Sequence, residues 1–104
     1  MLDVKELLEK TNLKVGEVAF SKPPQLPYII LLEAIEEGGA DYSNNIVNRD
    51  ISIEFYSIKI NREKENEIEE LLKSEGISFT KNRSYIAQDK VFETIYDFSI
   101  YEKK

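Results

Sequence analysis

The chain has 104 residues, with 20 acidic against 14 basic side chains and a formal net charge of −6. It contains no cysteine and no histidine. This composition excludes a thiol nucleophile, a histidine-dependent catalytic triad and a cysteine or histidine zinc site. The length is typical of one domain, so we expect a single α+β domain over residues 1–104.

The basic residues do not form the clusters that binding to a nucleic-acid backbone requires. They are interleaved with acids, as in NREKENEIEELLKSE, which favours a solvated helix face and predicts no specific nucleic-acid binding. The longest apolar run, YIILL, is far shorter than the roughly 20 residues of a membrane span. No segment has the pattern of a secretion signal. We therefore expect a soluble, cytoplasmic protein without membrane partners.

The chain begins with a short predicted helix and a strand. Residues 3–10 favour a helix that Asp3 can cap, with Glu6 at capping-box spacing. Residues 13–20 (LKVGEVAF) alternate as a strand does, and Gly16 indicates a bulge or a close backbone approach. The expected buried positions are Leu13 and Val15, with Val18 and Phe20 as further candidates.

All three prolines of the chain stand before its most apolar strand. Because proline cannot donate to a strand ladder, SKPPQLP (21–27) predicts an extended surface connection or a sheet edge. The next segment, YIILLEAI (28–35), is apolar on both faces as far as Glu33, which favours a central strand covered on both sides. An exposed polar loop at about residues 36–48 is expected to follow.

The second half of the chain predicts a strand at 49–60, a helix from about 63 to 74 and a strand at 91–101. Gly76 stands where a left-handed helix cap belongs. The residues between favour one interrupted strand, or a strand and a turn, around Ile77–Thr80 and Tyr85–Ala87. On the strand at 49–60, one face is expected to carry Arg49, Ile51, Ile53, Phe55 and Ser57, and the other Asp50, Ser52, Glu54, Tyr56 and Ile58. On the strand at 91–101, one face is expected to carry Phe92, Tyr96, Phe98 and Ile100, and the other Glu93, Asp97 and Ser99.

These elements predict an α+β fold in the order α-β-β-β-α-β-β. Three consecutive strands cannot all be parallel without crossovers, so we expect one mostly antiparallel sheet of four or five strands, with two helices on one face. Helices of about 8 and 12 residues cannot shield both faces of such a sheet. We therefore expect part of its apolar surface to contact another subunit.

Carboxylates are the only plentiful reactive groups. DYSNN (41–45) superficially resembles a calcium loop, but Ile46 stands where that loop needs glycine and Ser52 where it needs a bidentate glutamate. Glu54 and Glu93 either converge as a catalytic pair or lie on the solvent side of their strands, opposite Lys or Arg. The simpler second reading leads us to predict no catalytic residue, no metal and no cofactor.

Six tyrosines and five phenylalanines occur without any tryptophan. Tyrosine is enriched at protein interfaces, although it also suits strands in general. Combined with the surplus sheet surface, the aromatic residues favour self-assembly. The residues predicted to form the assembly interface are Asp41, Tyr42, Asn44, Asn45, Ile46, Tyr56 and Ile58.

Three segments together carry a resemblance to a known family: FSKPPQLPYIILLE, ADYSNNI, and the run from ISIEFYSIKINREK to KVFETIYDFSI. The chain resembles small proteins encoded in the morphogenesis modules of tailed phages and Gram-positive prophages. It is similar to their tail-completion or tail-terminator (head–tail joining) components. The resemblance covers nearly the whole chain, but it rests on the pattern of segments and includes no catalytic signature.

The resemblance implies a structural protein, not an enzyme. Such relatives form rings, usually hexamers, that cap the tail tube and join it to the head. The implied partners are further copies of the chain, tail-tube proteins and head-connector proteins, with DNA passing through the lumen. The implied location is the host cytoplasm during assembly and then the tail or neck of the virion.

Two other classes of function remain open on the residues alone. A small ligand-binding or regulatory α+β domain predicts a concave pocket with a few convergent polar groups and a stable dimer. An enzyme using Glu or Asp as general base predicts two carboxylates with raised proton affinity in a cleft.

Overall fold

The computed structural model describes residues 1–37 and 46–103, and these contain two helices and one five-stranded sheet. The elements are α1 (Val4–Glu9), β1 (Lys14–Glu17), β2 (Tyr28–Glu37), β3 (Ile46–Ser57), α2 (Arg62–Ser74), β4 (Thr80–Ile86) and β5 (Val91–Lys103). The sheet order is β1-β2-β3-β5-β4. All neighbours pair antiparallel except β1, which runs parallel to β2. The predicted α+β class and element order are confirmed.

Alternation along the strands gives the sheet two unlike faces. Both helices pack on one of them, which we call the covered face, and we call the other the open face. On the covered face Ile53, Phe55 and Tyr96 are fully buried beneath Ile68 and Leu72 of α2. The buried core cluster lies on this one side: Val4, Leu8, Leu13, Val15, Ile29, Leu31, Ile51, Ile53, Phe55, Ile68, Leu72, Tyr96 and Phe98.

Side-chain and backbone caps fix the helix ends. Asp3 accepts a hydrogen bond from the Glu6 amide at 3.0 Å, as the capping pattern predicts. Asn61 does the same for α2, and Gly76 follows that helix with a φ of +72°. A helix of six residues such as α1 is not stable alone, so its packing on the core maintains it. Neither helix in the described ranges is long and apolar enough to cross a membrane.

The predicted loop at 36–48 is too long at both ends. β2 continues through Glu37 and β3 starts at Ile46, because the ladder pairs Glu36 with Asn48 and Glu37 with Val47. At its other end β3 stops at Ser57, so the predicted strand over 49–60 ends three residues too late. Backbone pairing extends a hairpin into residues whose polar side chains indicate a loop.

The β1 strand is shorter than predicted. The prediction of Val18 as a candidate buried residue is wrong. Val18 is 71 % exposed with a φ of +67°, because the chain turns directly after β1. The close approach predicted at Gly16 is confirmed: a Cβ there would lie 2.8–2.9 Å from the ring of Phe20. That ring also makes an edge-to-face contact with Tyr28 at a centroid distance of 5.4 Å.

A buried carboxylate fastens α2 to β4 and β5. Glu65 accepts hydrogen bonds from Arg83 at 2.9 Å and from Thr94 at 2.8 Å, and Lys81 lies 3.0 Å away. Burial alone would raise the pKa of Glu65, but the bonds from Arg83, Lys81 and Thr94 outweigh it and lower the pKa to about 2. β4 is one continuous strand over Thr80–Ile86, whereas the sequence predicted one interrupted strand, or a strand and a turn, around Ile77–Thr80 and Tyr85–Ala87.

A second ion cluster, centred on the buried Arg49, joins β2, β3 and β5 on the same covered face. The Arg49 guanidinium on β3 donates to Glu33 on β2 and to Glu102 on β5. It also donates to the Leu2 carbonyl at 2.8 Å, which draws the N-terminal segment over the covered face. Arg49 is therefore buried, as its strand position predicts, and its charge is paired.

Glu65 makes stability depend on pH. Because folding lowers its pKa from 4.5 to about 2, its contribution is present above pH 4.5 and is lost as the pH falls toward 2. We expect this loss to reach about 3 kcal/mol in the wild-type chain. Urea unfolding between pH 2 and 6 measures it, and Glu65→Gln should be less stable at pH 6 but much less pH-dependent. An unchanged pH profile in this variant would contradict the assignment.

Gly16 and Phe20 should be energetically coupled. Gly16→Ala forces the Phe20 ring away from Tyr28, and the lost aromatic contact should cost about 1 kcal/mol. The same substitution made in a Phe20→Ala background should cost less, because no ring then occupies the space. Chemical unfolding of the four chains in this double-mutant cycle gives the coupling energy. Equal costs in both backgrounds would refute the contact.

Candidate assembly interface

The open face is built from rows of side chains that cross three strands. The register places Leu32 of β2 beside Ser52 of β3 and Asp97 of β5. Ile30, Leu32 and Ser52 are half-buried, whereas Asp97 is exposed. The rows from one end to the other are Tyr28–Tyr56–Glu93, Ile30–Glu54–Ile95, Leu32–Ser52–Asp97, Ala34–Asp50–Ser99 and Glu36–Asn48–Tyr101. The β2 side of this face is thus mainly apolar, and its centre is acidic.

An aromatic row marks the end of the open face next to the prolines. Phe20 lies against Tyr28, and the Tyr28 and Tyr56 rings are tilted with centroids 5.3 Å apart. All three residues are half-buried. Their contacts fix the side chains in place, so this end presents a rigid aromatic surface.

Four carboxylates lie on the open face of the neighbouring strands β3 and β5, and we call them the acidic centre: Asp50, Glu54, Glu93 and Asp97. The Tyr56 hydroxyl lies 2.6 Å from a Glu93 oxygen and 3.1 Å from a Glu54 oxygen. Since a hydroxyl has a single proton, it donates to one carboxylate at a time, and the shorter distance favours Glu93. Glu54 therefore has the weaker hydrogen bond to Tyr56.

The pKa of Glu54 is changed by its burial and by its charged and hydrogen-bonding neighbours. Burial raises its pKa above the ordinary value, the hydrogen bond with Tyr56 opposes this, and the charges of Glu93 and Asp97 raise it further. Burial and the bond to Glu93 likewise raise the pKa of Tyr56. The charged form of Glu54 therefore costs stability in the isolated chain.

The predicted basic partners of Glu54 and Glu93 are absent from the ladder. Glu54 lies between Ile30 and Ile95, and Glu93 lies between Tyr56 and Ser84. Within residues 1–37 and 46–103, the only lysines or arginines at open-face strand positions are Lys14 and Lys103, at two corners of the sheet. The two glutamates do converge, but through the hydroxyl of Tyr56, which the sequence did not predict.

A shallow depression of about 560 Å³ lies on the open face beside these acids. Its apolar side includes Leu32 and Ala34, and its acidic side includes Asp50 and Asp97. Glu54 and Glu93 are not among its lining residues. No group of three or more acidic side chains in the described part of the chain is arranged to hold a metal ion.

Of the residues predicted to form the assembly interface, the structure describes Ile46, Tyr56 and Ile58. Ile46 and Tyr56 lie on the open face at opposite ends of β3, about 34 Å apart. Ile58 is 63 % exposed just beyond that strand. Four others lie outside the described residues: Asp41, Tyr42, Asn44 and Asn45.

The sequence prediction missed Leu32, Ala34, Asp50 and Asp97 as interface candidates. Alternation already assigned Asp50 and Asp97 to the outer face of their strands. Their position next to the apolar residues of β2 follows only from the cross-strand register. A register is a long-range property, so spacing within one strand does not reveal it.

Comparison with known proteins gives no further assignment. A scan against models of protein families found no matching family, and a search of curated proteins found no matching sequence. The function proposed below therefore rests on the resemblance described above and on the residues and the geometry of this chain.

Replacing Glu54 tests the cost of the acidic centre. Because folding raises its pKa, wild-type stability falls as the pH rises through the folded-state value. We expect Glu54→Gln to be more stable than wild type at pH 7, with the difference shrinking below pH 4. Thermal unfolding from pH 3.5 to 8 measures this, with Glu70→Gln on the exposed side of α2 as control. A loss of stability at pH 7 would contradict the prediction.

Proposed function

We propose that this chain is a structural phage or prophage morphogenesis protein without catalytic activity. It acts as a tail-terminator or tail-completion component, in a ring of identical subunits at the head–tail junction. The observation that carries the proposal is the one-sided sheet. Both helices pack on the covered face, and the described residues place no helix or strand over the centre of the open face.

The apolar side of the open face supports association between copies. Ile30, Leu32 and the rings of Tyr28 and Tyr56 are half-buried in the single chain. Contiguous apolar surface of this kind, bordered by polar groups, is typical of protein–protein contact sites. In a ring, each subunit covers part of this surface on its neighbour.

The acidic centre supports a passage for DNA. Asp50, Glu54, Glu93 and Asp97 are distributed along the open face of β3 and β5, with no lysine or arginine at the described strand positions beside them. A surface of one negative sign repels the phosphate backbone. Where Glu54 and Glu93, which lie outside the depression lined by Asp50 and Asp97, face the lumen of a ring, the genome passes without adhering to the wall.

A second candidate is an enzyme in which Glu54 acts as general base beside Glu93. The raised pKa of Glu54 and the shared Tyr56 hydroxyl favour it. A general base works in a pocket that holds the substrate, and the depression on this face does not include either glutamate. We therefore prefer the assembly function.

A phage that lacks this gene tests the proposal. We expect electron microscopy to show unjoined heads beside tails, since the ring that connects them is missing. A plasmid copy of the wild-type gene should restore virions. A Leu32→Lys copy should not, because the new charge lies in the apolar part of the open face.

The matched control is Asn66→Lys, which adds the same charge at an exposed position of α2 on the far side of the sheet. It should restore virions, and circular dichroism should show that both variants fold. Normal particles without the gene would refute the proposed function. Full rescue by Leu32→Lys would refute the role of the open face.

A further inference from the structure

The corner between β3 and α2, residues 58–62 (IKINR), combines exposed apolar and basic groups. Ile58 is 63 % and Ile60 41 % exposed, and they adjoin Pro27 along the wall of a second surface depression. Lys59 and Arg62 are also exposed. Neither forms a salt bridge with any residue in the described ranges. This corner therefore presents two aliphatic side chains and two positive charges, with the exposed carboxylate of Glu63 next to them.

The depression on the open face presents the complementary groups. Leu32 and Ala34 form its apolar side, and Asp50 and Asp97 its acidic side. Asp50 accepts one hydrogen bond, from the Ser99 hydroxyl at 2.6 Å. In the described part of the chain neither aspartate pairs with a lysine or arginine. The depression thus has room for aliphatic side chains next to two carboxylates.

We propose that the corner of one copy docks into the open-face depression of a second copy. Ile58 packs against the apolar side, and Lys59 and Arg62 pair with Asp50 and Asp97. The match is one of charge as well as polarity, since the corner has two cations and one carboxylate, whereas the depression has two aspartates without a cation and a third carboxylate, Glu33, that is paired with Arg49. Ion pairs of this kind fix register and orientation and weaken as salt is added.

The charges disfavour symmetric alternatives. Two open faces placed against each other would bring acidic centres together, and two corners would bring cations together. A contact between two different patches adds subunits head to tail and closes into a ring when the rotation fits. The inference rests on the self-association in the proposed function and specifies its contact; it does not depend on the phage assignment.

Disulfide trapping tests the contact directly, because the native chain contains no cysteine. Purified Ile58→Cys and Ala34→Cys chains are mixed and oxidised, and non-reducing gels measure the rate of heterodimer formation. We expect this pair to link at least about tenfold faster than Asn66→Cys mixed with Ala34→Cys. Added salt should slow the specific pair more than the control.

Equal rates for the two mixtures would overturn the proposal. So would preferential linkage of Ala34→Cys to itself, which would show that open faces pack on each other. Circular dichroism confirms that each single-cysteine chain is folded.

Charge reversal gives a second, independent measurement. Lys59→Glu/Arg62→Glu and Asp50→Lys/Asp97→Lys should each lose the fast linkage when introduced on both partners, since like charges then meet. Using one reversed pair on each partner, so that an acidic corner meets a basic depression, should restore it. Failure of this rescue, with both chains folded, would overturn the contact.

The outcomes separate this inference from the proposed function. Rings or phage rescue without linkage of Ile58→Cys to Ala34→Cys would refute this contact and leave the function standing. Linkage without any defect in a phage lacking the gene would support the contact and refute the function.

Discussion

The structure depends on how α2 is held against one face of the sheet. Glu65 is buried, so its charge needs partners, and Arg83, Lys81 and Thr94 on the two adjoining strands supply them. Sliding or lifting the helix would leave a buried carboxylate unpaired. The polar contact thus fixes the position of the helix, while Ile68 and Leu72 supply its apolar packing.

Because both helices lie on the covered face, neither of them covers the apolar side chains of the open face. Thirteen and six residues of helix are enough to bury one side of a five-stranded sheet, and both helices are on the same side. The open face is not uniformly apolar. The β2 side carries Ile30 and Leu32, whereas the centre carries four carboxylates, so one surface combines a region suited to contact and a region that repels polyanions.

The negative charge of Glu54 in the acidic centre lowers the stability of the folded chain. Glu54 shares one tyrosine proton with Glu93 and lies near Asp97, and its raised pKa records the unfavourable charge. Local arrangements that lower stability are concentrated at functional sites, where another requirement keeps them. In the proposed ring, a neighbouring subunit or the passing DNA would supply that requirement.

The features that depend only on residues close together in the chain could be predicted from the sequence. Asp3 and Gly76 marked helix ends, and alternation assigned the faces of β3 and β5 correctly, because caps and side-chain direction follow from local geometry. The sequence also placed both helices on one face. It assigned Glu65 to a solvated helix surface, since its partners lie 16 to 29 residues away along the chain.

Three features could not be predicted from the sequence and follow from the tertiary structure. They are the parallel pairing of β1, the exposure of Val18 and the contacts of Glu54 and Glu93 with the Tyr56 hydroxyl. Each depends on cross-strand register or on the path of a connecting turn, which tertiary packing selects among several locally acceptable arrangements. For the same reason the apolar residues of β2 and the aspartates of β3 and β5 came together in one depression only when the strands were paired.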